Sequence, residues 1–254
     1  MRIIAIVNQK GGSGKTTTSV NLAAALGEKG RRVLLIDLDP QASTSSWYGI
    51  QAVGKGLLDV FTRGDELIEQ VQATAVLGVD VVPCSTWLAN AEKVLADVAG
   101  AELLLQRQLR KLPADRWDYV LIDCPPTLGV LTVNALAASG ELMIPVEAHA
   151  MALNGVVQIV KTAEVVHERL NPDLELTGVV ACRVDLRTRH PQEVVEQLRA
   201  KFGKLVYKTV IRENIRLAEA PSFAQPITIY DSKCNGAEDY RDLAAEVVKQ
   251  ERRK

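Results

Sequence analysis

At 254 residues, with 47% hydrophobic and 24% charged side chains, the chain has the make-up of a globular protein large enough for one well-buried core. Its net charge of −1 gives no reason by itself to expect a polyanionic partner, and aromatics at 4% leave few platforms for stacking single-stranded nucleic acid. Cys84, Cys124, Cys182 and Cys234 lie far apart and the three histidines are scattered, which excludes a zinc or iron–sulfur site built on local spacing and points to reduced thiols in a cytosolic protein.

The first element is an apolar run at 3–7, too short for the apolar segment of a leader and right for a strand. With so early a strand, no N-terminal helix-turn-helix unit is expected, and no operator-specific repression. The string Asn8-Gln9-Lys10-Gly11-Gly12-Ser13-Gly14-Lys15-Thr16-Thr17-Thr18 follows. It leads into a helix over 16–29, with Val20, Ala23, Ala24 and Gly27 on one face and a stop at Gly30. Strand, glycine-rich turn and helix together form a phosphate loop. Its glycines turn successive backbone N–H groups inward around phosphate oxygens, and the helix N-terminus adds partial positive charge. Lys15 is placed to reach the β- and γ-phosphates, and the Thr16 hydroxyl to bind Mg²⁺. Lys10 is an addition to the common pattern, and Gln9 stands where that pattern has glycine. A second lysine so close is redundant in a single subunit. It either faces solvent or reaches a partner's phosphates across a dimer interface.

Further apolar runs occupy 33–36, 79–82, 119–122, 142–146, 176–181 and 206–211. They are continuous rather than alternating, as in strands covered on both faces of a parallel sheet. Asp37 and Asp39 close the second run, two residues apart and so on one side of an extended chain. Asp123 closes the run at 119–122, which delivers its carboxylate beside the loop, where an aspartate holds Mg²⁺ through water. Helices read at 151–170, 192–202 and 236–252 separate the later runs. The pattern predicts an α/β fold for 1–254 as one domain: a doubly wound, mostly parallel sheet with helices on both faces, the P-loop NTPase fold.

The string from Lys10 to Thr17 resembles the deviant phosphate loop of the ParA/MinD ATPases. Further matches are Val33-Leu34-Leu35-Ile36-Asp37-Leu38-Asp39-Pro40-Gln41, Tyr119-Val120-Leu121-Ile122-Asp123-Cys124-Pro125-Pro126 and Asn214-Ile215-Arg216-Leu217-Ala218-Glu219-Ala220-Pro221-Ser222. They span nearly the whole chain and are most similar to the small Soj-like partition ATPases. The resemblance implies an ATP-sandwich homodimer in which Lys10 crosses to the partner and Lys10, Gly11, Gly12, Ser13, Gly14, Lys15, Thr16 and Thr17 cradle ATP. It also implies that Asp39 orients or deprotonates the attacking water, that Asp37 supports the metal with Thr16 and Asp123, and that Asn214 lies near the adenine. Hydrolysis without a partner is expected to be slow. The chain departs from the family at Arg212-Glu213, where relatives read Pro-Arg before the asparagine. It departs again at Pro145 to Gly155, which replaces a more acidic and aromatic loop.

Between 183 and 216 nine Lys/Arg face four Asp/Glu, a local +5 in a chain of net −1. Charge alone leaves a solvated face and a DNA-phosphate surface both open. The resemblance favours double-stranded DNA bound without sequence preference, with Arg187 and Arg216 as the contacts and Lys204 and Lys208 behind them. The leading expectation is a cytoplasmic, nucleoid-associated DNA-partition ATPase with a ParB-like activating partner and no membrane. Alternatives are an ATPase that positions a protein cargo on the nucleoid and, further down, a MinD-like membrane ATPase. The last would need an exposed amphipathic C-terminal helix, whereas Tyr240, Leu243, Ala244, Val247 and Val248 form a narrow stripe suited to packing. A metabolic enzyme or iron–sulfur reductase of the same superfamily ranks last.

Overall fold

A computed structural model describes residues 1–149 and 151–251. Ala150, and Arg252 to Lys254 of the basic C-terminal tail, lie outside the described residues. In chain order the elements are β1 (Arg2–Ile6), α1 (Lys15–Glu28), β2 (Val33–Asp37), α2 (Ser43–Trp47), α3 (Leu57–Thr62), β3 (Gln72–Ala73), β4 (Val79–Val82), α4 (Ala91–Leu95) and α5 (Leu104–Leu109). They continue with β5 (Tyr119–Asp123), α6 (Val130–Ala138), β6 (Glu141–Glu147), α7 (Ala152–Arg169), β7 (Glu175–Cys182), α8 (Arg189–Phe202), α9 (Ile215–Glu219), α10 (Ile227–Tyr230) and α11 (Asn235–Gln250).

Among the described residues seven strands form one sheet in the order β3-β4-β2-β5-β1-β6-β7, parallel except for the short edge strand β3. Successive side chains of a strand point to opposite faces, and here both faces are buried. Ile4 and Ile6 of β1 and Val33 and Leu35 of β2 join one apolar layer, covered by α1 and α11. Ala5 and Val7, with Leu34 and Ile36, join the other, which α5, α6, α7 and α8 cover. This two-sided burial is why the strands read as unbroken apolar runs. α11 lays Tyr240, Leu243, Ala244 and Val247 against α1 with no exposure. At about 2 kcal/mol for each of the larger three, peeling it off costs ~6 kcal/mol. Among the described residues no helix is long and apolar enough to cross a membrane.

The expected strand at 206–211 does not form. That segment makes only one isolated bridge, Val179 with Val206, and Arg212 just beyond it bridges Val184. The cause is Glu246 of α11, whose carboxylate accepts the backbone N–H groups of Lys208 (3.0 Å) and Thr209 (2.7 Å). Donors that would extend a ladder are thereby turned toward the helix.

Between β1 and its two neighbours the strand order reverses. β5 and then β2 lie on one side of β1, and β6 lies on the other. Ligands of open α/β sheets bind in the crevice at such a switch point, beyond the strands' carboxyl ends. The loop after β1, with Asp37 and Asp123 at the ends of β2 and β5, opens there.

Candidate functional site

The β1–α1 loop is built to surround something. Gly12 and Gly14 take positive φ (75° and 93°), a region that side chains disfavour. A Cβ added at Gly11 or Gly12 would meet nothing within 4 Å, so these glycines do not serve packing of the protein itself. α1 begins with no side-chain cap, leaving its first N–H groups for another acceptor. The Ser13 hydroxyl is buried without a hydrogen-bond partner. Lys15 is buried, its Nζ 3.5 Å from the Lys10 carbonyl oxygen. Burial pushes its pKa down, while Asp123 and Asp39 oppose the shift. An enclosed ammonium, a cradle of N–H groups and an orphaned hydroxyl fit a phosphate chain.

Parallel pairing sets the carboxylates. Asp123 is in register with Ile6 on one side and Asp37 on the other. Asp123 is fully buried and accepts three hydroxyls: Thr16 (2.8 Å) and Thr44 (2.7 Å) on Oδ2, and Ser19 (2.9 Å) on Oδ1. Burial nevertheless pushes its pKa up, against the lowering effect of those hydroxyls and of Lys15. Asp37, equally buried, accepts the Ser45 N–H (2.8 Å) and Ser45 hydroxyl (2.5 Å) on Oδ2 and the Asp39 N–H (3.3 Å) on Oδ1. Burial first and Asp123 second raise its pKa to about 7. Asp39 sits one step further out at the mouth of the crevice, bonded to the Gln41 N–H (3.0 Å). Among the described residues no three His, Cys, Asp or Glu side chains gather to hold a metal alone. Mg²⁺ at a phosphate site needs only one or two protein ligands beside phosphate and water. Thr16, with Asp123 behind it, fits that requirement, and the dication would favour the ionised carboxylate that burial disfavours.

Lys10 behaves differently from Lys15. Half exposed on the rim of the loop, its Nζ bonds Glu147 Oε2 (2.8 Å) and His149 Nε2 (2.6 Å), both from the end of β6. Arg183 holds the other Glu147 oxygen at 3.3 Å. The Lys10 hydrogen bond, ahead of opposing burial, lowers the Glu147 pKa. Beside the loop lies a cleft of about 410 Å³ lined by Gly12, Thr17, Ile211, Asn214, Leu217 and Tyr240. That volume suits a nucleoside. Asn214 spends its carbonyl on the Arg216 N–H (2.8 Å), capping α9, so its amide N–H₂ is the group left for a ligand.

The basic segment is partly neutralised by its neighbours. Arg212 is clamped by Asp239 (2.6 Å) and Glu238 (2.7 Å). Arg187 and Arg216 stay exposed, the first forked onto Asp185 (2.9 Å) and the second bonded to Glu219 (2.9 Å) with Asp231 at 3.6 Å. The structure therefore gathers Asp37, Asp39 and Asp123 beside the loop, and sets Asn214 in the adjoining cleft that shares Gly12, Gly14 and Thr17 with it. Sequence reasoning missed the hydroxyls of Ser19, Thr44 and Ser45 and the bonds of Glu147 and His149 to Lys10. The serine- and threonine-rich run 43–46, one residue after Asp39-Pro40-Gln41, was the available signal for Thr44 and Ser45.

A phosphate loop after the first strand of a doubly wound parallel sheet, facing two strand-end aspartates, defines a P-loop nucleoside triphosphatase. Residues 1–176 match the family described as "AAA domain". The chain is 46% identical to the sporulation initiation inhibitor protein Soj of Bacillus subtilis, across 97% of this chain and 98% of that protein. It is 42% identical to the chromosome partitioning protein ParA of Caulobacter vibrioides, across 99% and 96%. Among solved structures it is similar to cobyrinic acid a,c-diamide synthase from Mycobacterium smegmatis with bound ADP and magnesium, at 34% identity and a TM-score of 0.86, covering 99% and 96% of the two chains. The chain belongs to the Soj/ParA family of P-loop ATPases.

Proposed function

We propose that this protein is a DNA-partition ATPase in which Mg²⁺ and ATP drive a sandwich homodimer that binds double-stranded DNA without sequence preference. A ParB-like protein stimulates hydrolysis and so releases the dimer. The observation that carries the reading is the contrast between two lysines of one loop: Lys15 is buried in the cradle, while Lys10 presents its ammonium on the exposed rim. Residues 1–254 act as one ATPase unit, cytoplasmic and associated with the nucleoid.

Bound Mg²⁺ would neutralise charge on the β- and γ-phosphates. Lys15 and the N–H groups from Gly11 to Thr17 hold those phosphates, and Thr16 and Asp123 hold the metal, with Asp37 fixing the α2 side of the site. Asp39 positions the attacking water and takes its proton as the water oxygen bonds phosphorus and the bond to ADP breaks. Lys10, released from Glu147, adds positive charge to the partner's phosphates. Asn214 and the apolar cleft take the adenine side. The reliance on positioning and charge rather than covalent chemistry suits a slow timer. Two relatives at 40–42% identity are named for chromosome partitioning, the Caulobacter vibrioides ParA and a Soj ATPase of Treponema pallidum, and these names favour partition over the metabolic activity named for the M. smegmatis protein at 34%. The cost of detaching α11 argues against a membrane role for that helix.

Arg187→Ala and Arg216→Ala test the DNA surface, since neither residue lies in the phosphate or aspartate motifs. Each change should weaken binding equally on two unrelated duplexes. Because a dimer presents each arginine twice, each should lower the salt slope by up to about two units, at roughly 0.9 per phosphate contact. Fluorescence anisotropy across a salt series, with and without ATP, reads both quantities. Unchanged slopes in both variants would move the DNA surface elsewhere. An absence of binding by the unaltered protein would overturn the DNA reading.

A further inference from the structure

The helix α2 is fastened at both ends, and its two ends belong to different parts of the molecule. At the crevice, Thr44 donates its hydroxyl to the same Asp123 oxygen that accepts Thr16, and Ser45 gives both its N–H and its hydroxyl to Asp37. At the far end, Trp47 is buried and its Nε1–H donates to the Gln225 carbonyl oxygen at 2.7 Å. Gly49 follows beside the Ala224 methyl, which a Cβ added at Gly49 would meet at an ordinary van der Waals distance of 3.8 Å. The same helix packs on the turn Ala220–Phe223.

From Gln225 the connection continues without a gap to Arg216. Gln225 and Pro226 lead into α10, where Phe223 stacks on Tyr230 with ring centres 4.8 Å apart. The Tyr230 hydroxyl donates to Glu219 Oε2 at 3.0 Å, and Arg216 Nη1 donates to the same oxygen at 2.9 Å. One oxygen at each end of the path therefore accepts two donors: Asp123 Oδ2 from Thr16 and Thr44, and Glu219 Oε2 from Tyr230 and Arg216. α10 has a second anchor, the Ile227 N–H on Asn21 Oδ1 at 2.6 Å. Asn21 lies on α1, a helix buried nearly all round, so this anchor is the fixed one.

Backbone conformation marks the same two ends. Among the described residues only three non-glycine residues take positive φ, and two of them are Ala42 (53°), which starts α2, and Ala224 (52°), which precedes Gln225. Alanine disfavours that region, and such conformations persist where the surroundings impose them and concentrate in segments that switch.

We infer that α2 is the link by which occupancy of the phosphate and metal site is transmitted to the Arg216 segment, with Trp47 as the coupling residue. Thr16 is held in place by the loop and α1, whereas Thr44 rides on a helix of five residues. When the site fills and the hydrogen bonds of Asp123 redistribute, Thr44 is the donor able to move. α2 then shifts, Trp47 carries Gln225 with it, and α10 pivots on its Asn21 anchor. The bond of Tyr230 to Glu219 changes, and Arg216 is freed from Glu219 for an outside phosphate. Trp47 touches no phosphate and acts through Gln225, so it is a positioning residue. The inference rests on the ATP-switch reading of the site and adds the route by which the switch reaches the proposed DNA contact.

The test is hydrogen–deuterium exchange on the full chain and on Trp47→Phe, with Mg²⁺ and a non-hydrolysable ATP analogue, compared with no nucleotide. Residues 221–230 are the readout, because 211–218 border the nucleoside cleft and respond to ligand directly. In the unaltered chain the analogue should change exchange in both 9–18 and 221–230. In Trp47→Phe the response should persist in 9–18 and vanish in 221–230, with analogue affinity by calorimetry retained. A Trp87→Phe/Trp117→Phe chain leaves Trp47 as the sole tryptophan, so the link can also be read without altering it: its emission should shift with Mg²⁺ and analogue. The same response in Trp47→Phe as in the unaltered chain, or an unmoved Trp47 emission, would overturn the inference. If DNA binds, the Trp47→Phe dimer should bind it at least about fivefold more weakly, the lower end of usual coupling factors. Exchange results as expected without any DNA binding would keep the link and remove the DNA reading.

Discussion

Lys15 and Asp37 show how burial sets what a residue does here. Lys15 is enclosed, so its replacement leaves phosphates without their main in-subunit cation in a site where water cannot substitute. Lys15→Ala should weaken ATP binding by about 100-fold or more, and retained micromolar affinity in calorimetry would contradict the loop's role. For Asp37 the folded-state pKa is about 7 against an ordinary 3.8. The folded chain therefore keeps a proton that the unfolded chain releases across that window. Stability is greatest below the lower value and falls as pH rises through it, by up to about 1.4 kcal/mol per pH unit. Thermal unfolding in chelator should occur at lower temperature at about pH 8 than at about pH 5, and Asp37→Asn should flatten the difference. The loop and the three aspartates were legible because each needs a particular residue type at a fixed place after a strand. Thr44, Ser45 and Ser19 were not, because a hydroxyl reveals its use only through the carboxylate that the fold brings to it.

At the scale of elements, the sequence displayed what repeats and hid what is short. Six strands and four long helices follow from apolar runs and a period of 3.6. Helices of four to six residues, α2 among them, span too little of a period to be read. The segment 206–211 has a strand's composition, and its fate turned on Glu246, some forty positions away. Close packing between elements is equally invisible in a single chain. Gly27 of α1 illustrates it: a Cβ there would lie 2.2 Å from the Leu77 carbonyl oxygen, on the turn leading into β4. Backbone cannot swing aside as a side chain can, so Gly27→Ala should cost about 1–3 kcal/mol by thermal or urea unfolding. A stability equal to that of the unaltered chain would mean that α1 and this turn are not held together as described.

For the whole molecule the claim is that two copies close on ATP, and that Lys10 leaves Glu147 and His149 to do so. The local charge excess between 183 and 216 then doubles on one assembly, which is why the proposed DNA binding should depend on ATP. The proposed dimer has no mark in one chain beyond the redundant second lysine, because an interface formed with ligand would be made of groups that the single subunit pairs internally or exposes. Sedimentation velocity with Mg²⁺ and ATP on three proteins tests this most directly. Asp39→Ala, able to bind but not to hydrolyse, should sediment as a lasting species of twice the 27.7 kDa chain mass. The unaltered chain should form the same species transiently and return to monomer as ADP accumulates. Lys10→Ala should bind ATP and remain monomeric throughout. Dimerisation of Lys10→Ala equal to that of the unaltered chain, or a monomeric Asp39→Ala with ATP bound, would contradict the account.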